Sequence, residues 1–193
     1  MIFNESYFKS LNYTNYLERE VRYKKMSKEL VEYLMKMKLI QSNSQTIDYG
    51  CAVGFFAKGV NELGISCDGY DISEWAKTEA IKAGINVVSF SPHHYNVMFA
   101  FDVFEHMEDE DIVTAIKIFT PDTLLVRIPC SVDGKDFHLD ISKRDPTHIN
   151  CKTKEQWMAF FMKCEYNQFE RIDLYTVYDT DGVMCYLCRR SSF

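Results

Sequence analysis

The sequence has no apolar run of membrane-spanning length. Its first residues, MIFNESYFKSLNYTNYLERE, lack the basic stretch and continuous apolar segment of a secretory signal. Membrane insertion and export are not expected; a cytoplasmic location is. A basic stripe is missing too. Lys and Arg are dispersed, apart from Arg19, Arg22, Lys24, Lys25 and Lys28, and the net charge is -6. A nucleic-acid backbone is therefore a poor partner, and a small neutral or cationic acceptor a better one. The 7 cysteines are an odd, scattered set, which fits reduced core thiols better than a disulfide framework. Cys185 and Cys188 form a Cys-x-x-Cys within a run that reads as strand. Their side chains would point to opposite faces there, so a metal or redox role is not expected. Internal repeats, low-complexity tracts and linkers are also absent. With 193 residues, 47% of them hydrophobic, the chain fits one domain with a full core.

What is present is an alternation of strand-like and helix-like patterns. Residues 15–39 carry Leu17, Val21, Leu30, Leu34 and Met37 at helical spacing, preceded by the aromatics Tyr7, Phe8, Tyr13 and Tyr16. Residues 1–40 are expected to form a helical lid and residues 44–193 the α/β core. Strands are expected at 46–49, 65–71, 86–90, 96–101, 123–128, 169–178 and 183–189. Helices are expected after Gly54, after the N-cap Ser73, at the acidic run starting at Glu108, and after a Thr153–Gln156 capping box. Asp179-Thr-Asp-Gly182 reads as a hairpin connection between the last two strands. The implied fold is a Rossmann-like, doubly wound, mainly parallel seven-stranded sheet closed by an antiparallel hairpin strand. Residues 130–152 form the one long irregular stretch, and loops of that length are more often functional than idle.

The segment from Thr46 to Asp71, TIDYGCAVGFFAKGVNELGISCDGYD, reads as strand, glycine-bearing turn, helix and a second strand ending in aspartate. That is the layout of a nucleoside-binding half-site, in which backbone approaches the ligand and an acid some 20 residues on meets the ribose diol. The positions after Gly50 do not spell GxGxxG, and no Lys-Ser or Lys-Thr follows Gly54. The dinucleotide reading is weakened and a Walker A loop excluded.

With Asp48, Gly50, Gly54 and Asp71, the chain resembles the class I S-adenosyl-L-methionine-dependent methyltransferases. Asp48-Tyr-Gly50-Cys-Ala-Val-Gly54 is similar to their first motif, which usually has glycine where this chain has Ala52. Gly69-Tyr-Asp71-Ile-Ser73 is similar to their acidic strand end, and NVMFAFDVFEH from Asn96 to His106 to their fourth strand. The resemblance implies that Gly50, Cys51 and Gly54 meet the methionine part of the cofactor, with Asp48 supporting that loop. It also implies that Asp71 takes both ribose hydroxyls, that Ile72 and Phe90 flank the adenine, and that Ala100 and Phe101 border the methionine tail.

Asp102-Val-Phe-Glu105-His106 resembles a segment of the ubiquinone-biosynthesis-type small-molecule O-methyltransferases and of small-RNA terminal-ribose methyltransferases. His106 and His148 are the candidate catalytic residues, because an imidazole base is matched to neutral pH. The resemblance allows a second arrangement, in which Asp102, Glu105, His106 and His148 hold a divalent metal. His93, His94 and His138 also fall in expected loops at the carboxyl side of the strands, and His138 with Asp140 is a candidate grip on a polar acceptor. The expected activity is O-methylation of a sugar, phenol or similar hydroxyl. The alternatives are methylation of an RNA end, with Arg127, Lys135, Lys143, Arg144 and Lys152 as a basic rim, and a cofactor-binding protein without chemistry. No NPPY-like or DPPY-like amine-methylating motif follows the fourth strand.

Overall fold

The computed structural model describes residues 3–9 and 19–191. Its sheet has six strands in the order β2-β1-β3-β4-β6-β5. They are β1 (Gln45–Tyr49), β2 (Ser66–Tyr70), β3 (Val97–Phe101), β4 (Thr123–Pro129), β5 (Gln168–Arg171) and β6 (Val183–Arg189). Strands β1 to β4 pair in parallel, while β6 runs antiparallel between β4 and β5. Central strands covered on both faces read as continuous apolar runs, and Val97-Met-Phe-Ala-Phe101 is one. Its side chains alternate between two buried clusters. Val97 and Phe99 join α2 (Glu20–Lys36) and α3 (Phe55–Glu62) on one face. Met98 and Ala100 join α5 (Asp109–Phe119) and α7 (Lys154–Lys163) on the other. Cys185 and Cys188 fall one in each cluster, as opposite faces of β6 require.

The expected strand at 86–90 does not form, and the sheet has six strands instead of seven. Gly69 exchanges two backbone hydrogen bonds with Asn86 and Val88, which leaves a single bridge to Val87. Ser91 N then bonds Ser89 O, and Pro92, which has no amide donor, follows the turn. The expected strand at 169–178 is cut to the four residues of β5. Beyond it, Glu29 on α2 accepts from the amides of Tyr175 and Thr176, both at 2.8 Å, and draws the chain toward the helix.

Helix α2 buries Met26, Leu30, Val31 and Leu34, and turns Val21 and Met37 to solvent against expectation. Leu17, Tyr13 and Tyr16 lie outside the described residues. The capping box of α7 forms as expected, with Thr153 and Gln156 bonded reciprocally. Ser73 caps α4 (Glu74–Lys82) by accepting from Ala76 N at 3.1 Å. The short helices α1 (Glu5–Phe8) and α6 (Asp140–Lys143) complete the set. Among the described residues, no helix is long and apolar enough to cross a membrane.

Candidate functional site

A cavity of about 650 Å³ opens at the carboxyl ends of β1 to β4, where the strand order reverses and open α/β sheets bind ligands. One wall is the turn after β1. Gly50 sits at φ +78°, and a Cβ there would lie 2.3 Å from Val103 Cγ2, so only glycine fits. The amides of Gly50 and Cys51 both donate to Tyr70 O, which ties the turn to the end of β2. Asp71 follows at once. Its Oδ2 accepts from Ala52 N at 2.9 Å and its Oδ1 from Ser73 N at 2.8 Å. Asp71 also lines the cavity. Burial raises the Asp71 carboxyl, partly offset by those amides.

Ile72 and Phe90 line the same cavity and are 55% and 42% exposed. Phe101 lines it too. Gly54, at φ +81°, starts α3, while Cys51 and Ala100 are buried behind the wall. Asp48 is buried beneath the turn, where burial and then the charge of Asp71 push its carboxyl up to about 7.

Ala52 occupies the left-handed region at φ +48°, where glycine is the relaxed residue. The strain persists because Asp71 holds its amide. Ala52→Gly is expected to raise unfolding free energy by about 0.5–1 kcal/mol in urea titration, as relief of strain outweighs the added freedom of the unfolded chain. A loss of stability would show the turn to be relaxed as it stands.

The opposite wall begins at Asp102, at φ +55°, a conformation aspartate tolerates better than most residues. Asp102 pairs with Arg127, whose guanidinium it holds above its ordinary value. A 3-10 turn over Phe104–His106 follows. Glu105 is fully buried, and neither carboxyl oxygen has a hydrogen-bond partner among the described residues. Burial, and then Asp102, push this carboxyl well above the usual carboxylate range. Glu105 O accepts from the amides of Ile149 and Asn150, and Asn150 Nδ2 donates to Met107 O at 2.8 Å. The long 130–152 loop is thereby fastened to the 3-10 turn, and His148 arrives beside His106 with ring centroids 4.6 Å apart. Burial lowers both imidazoles, His106 to about 4 with help from the neighbouring His148. One donor atom each from Glu105, His106 and His148 lie within 4.8 Å of one another. Asp102, expected as a fourth member, falls outside that group.

The remaining expectations sort by position. His93 and His94 precede β3, bonded to Gln45 and Asp122 at the amino ends of the strands, so the expected carboxyl-side placement is wrong for them. His138 and Asp140 are exposed and do not line the cavity, although Leu139, Ile141 and Ser142 do. The basic rim does not assemble. Arg127 is engaged inside the cavity, Lys152 lies 2.7 Å from Asp109 and over the ring of Trp157, and Lys135, Lys143 and Arg144 stand off the cavity.

Sequence reasoning missed Arg19, Arg22, Tyr23 and Met26 as cavity residues. Their spacing marks one face of α2 and was the available signal. The aromatic start contributes as well. Phe3 stacks edge-on against His106 at 5.4 Å, Tyr7 Oη donates to Asp145 Oδ2 at 3.3 Å, and Phe8 stacks on Trp75 at 5.2 Å. Phe3, Tyr7 and Phe8 also line the cavity.

Residues 17–163 match the family described as a methyltransferase domain. No curated protein sequence matches the chain. Among solved structures, magnesium protoporphyrin IX methyltransferase from Synechocystis PCC 6803, with S-adenosylhomocysteine bound, superposes with a TM-score of 0.63 at 16% identity, over 96% of this chain and 97% of that one. A S-adenosylmethionine-dependent methyltransferase from Archaeoglobus fulgidus gives a TM-score of 0.65 at 15% identity, over 92% and 100% of the two chains. A Thermotoga maritima methyltransferase, a possible histamine N-methyltransferase, gives 0.61 at 13%, over 95% and 98%.

Proposed function

Because this chain belongs to the methyltransferase domain family, we propose that it is an S-adenosylmethionine-dependent methyltransferase whose acceptor is the hydroxyl of a small molecule. One observation carries the reading. A buried carboxyl and two imidazoles, Glu105, His106 and His148, converge on the cavity that Gly50 and Asp71 also line. An amine attacks through its lone pair, whereas a hydroxyl must have its proton removed or weakened, and this is the equipment for that.

Bound S-adenosylmethionine supplies an electrophilic methyl group on a sulfonium centre. Asp71 would accept from the two ribose hydroxyls. The Gly50 turn would admit close approach of the methionine portion, Ile72 and Phe90 would flank the adenine, and Asp48, buried beneath the turn, would help to hold the ammonium group. Arg19 and Arg22, on the cavity face of α2, suit the methionine carboxylate. Residues 1–40 are read as a lid on the 44–193 core; of the described ones, Tyr7 reaches Asp145 and Arg22, Tyr23 and Met26 line the cavity, which would help to hold the nucleophile at near-attack distance. His106 Nε2 receives the acceptor proton.

The same set fits a divalent cation. Both Glu105 oxygens are orphaned in the interior, and both imidazoles are held neutral. Glu105, His106 and His148 would hold the ion, and this mixed oxygen and nitrogen donor set suits magnesium, manganese, iron or zinc. A cation there lowers the pKa of a nearby hydroxyl.

Membership of the methyltransferase family supports chemistry over binding alone, and the dispersal of the basic residues favours a small molecule over an RNA end. The test is S-adenosylhomocysteine release with matched sugars and phenols, their amino counterparts and their O-methylated forms. Turnover is expected with free hydroxyls and not with O-methylated forms. Turnover confined to the amines would overturn the reading.

A further inference from the structure

The turn Asp145-Pro-Thr-His148 is organised by one carboxylate. Asp145 Oδ1 accepts from Thr147 N at 2.9 Å and from Thr147 Oγ1 at 2.5 Å. Its Oδ2 accepts from Tyr7 Oη at 3.3 Å and lies 3.9 Å from His148 Nε2. A hydroxyl has a single proton. With that proton committed to Asp145, Thr147 Oγ1 presents only lone pairs to His106 Nδ1, 2.9 Å away. The carbonyl oxygen of Thr147, 3.1 Å from the same nitrogen, is an acceptor in any case. Two acceptors on one ring nitrogen require the proton to sit on that nitrogen.

We propose that Asp145 is a positioning residue that, by committing the Thr147 hydroxyl proton, fixes His106 as the Nδ1–H tautomer with its Nε2 lone pair turned to the cavity. Nε2 then lies 3.9 Å from Glu105 Oε1, where it serves either as proton acceptor or as metal ligand. Both roles need an unprotonated Nε2, and the opposite tautomer supports neither. The role of Asp145 is to accept hydrogen bonds, not to supply charge. Tyr7 brings α1 to the same carboxylate, so lid and histidine share one anchor.

This inference rests on the hydroxyl-methylation reading of His106, and its test is read without turnover. In full-length 15N-labelled protein at neutral pH, without cofactor or acceptor, long-range 1H–15N spectra should show His106 protonated at Nδ1. Asp145→Asn, whose amide oxygen accepts the same two bonds from Thr147, should keep that spectrum and nearly wild-type turnover. Asp145→Ala should populate the Nε2–H tautomer and lower kcat roughly 10- to 100-fold, with the KM for the cofactor unmoved. Wild-type protein protonated at Nε2, or a folded Asp145→Ala protein with an unchanged tautomer, would overturn the proposal. Should Asp145→Ala fail to fold, Asp145→Ser decides, since a hydroxyl on the shorter side chain no longer reaches Thr147 Oγ1. The Nε2–H tautomer appearing in it supports the proposal; a folded Asp145→Ser protein with the Nδ1–H tautomer unchanged defeats it. A shifted tautomer in a protein that methylates no hydroxyl would sink the functional reading and keep the relay. An unmoved tautomer beside intact methylation would sink the relay alone.

Discussion

Asp71→Ala is expected to weaken S-adenosylmethionine binding by roughly 10²- to 10⁴-fold. Hydrogen bonds to a charged group contribute about 1.5–3 kcal/mol each, and two ribose hydroxyls would be lost together, which converts to that range of dissociation constants. The substitution also removes the acceptor for Ala52 N and Ser73 N, so the turn facing the methionine tail loosens at the same time. Asp71→Asn should fall between alanine and wild type, since it keeps one accepting oxygen. Calorimetric titration with S-adenosylmethionine and S-adenosylhomocysteine, on protein checked by circular dichroism, reads the effect directly. An affinity near wild type for the alanine variant would remove the anchor of the cofactor site.

The same isotherms carry a pH signature. In the free protein Asp48 titrates at about 7, because burial and Asp71 disfavour its charge. The cationic ammonium proposed to sit beside it would favour the charged form, so binding should release a proton wherever the free protein still holds one. Affinity should therefore rise as pH climbs toward 7, by up to tenfold per unit, and level off above it. Asp48→Asn should flatten the profile.

His106→Ala is the second large effect. Loss of a positioned proton acceptor costs typically 10²- to 10⁴-fold in turnover, and the cofactor affinity should stay near wild type because His106 stands on the wall opposite Asp71. His148→Ala separates the two arrangements the site allows. If a cation is held, a chelator abolishes turnover, added divalent metal restores it, and His148→Ala falls as far as His106→Ala. If His106 works alone, activity survives the chelator and His148→Ala loses less. Full activity in His106→Ala would refute both.

The turn and the acid proposed for the cofactor were legible because they are local. Gly50, Ala52 and Asp71 belong to one strand-turn-helix-strand unit, and parallel pairing of β1 with β2 brings the turn and the acid together from that unit's own pattern. Glycine at positive φ and aspartate at a strand end are readable as residue types. The failed strand at 86–90 had apolar β-formers, but its pairing depended on a chain direction that Ser89 to Pro92 turn aside.

The acceptor half was legible only as a collection of residues. That His148 belongs to the site and His138 does not was decided by backbone bonds from Ile149 and Asn150 to Glu105 O, which no periodicity encodes. Arg127 looked like part of a rim and became the inner partner of Asp102 because β4 pairs beside β3. Sequence by itself determined the layers, the turn after β1 and the acid after β2, since these follow from short-range pattern and backbone sterics. Tertiary structure alone decided which histidines meet, that Glu105 lies buried between them, and that Phe3 packs on His106 while Tyr7 reaches Asp145, because each depends on contacts between segments far apart in the chain.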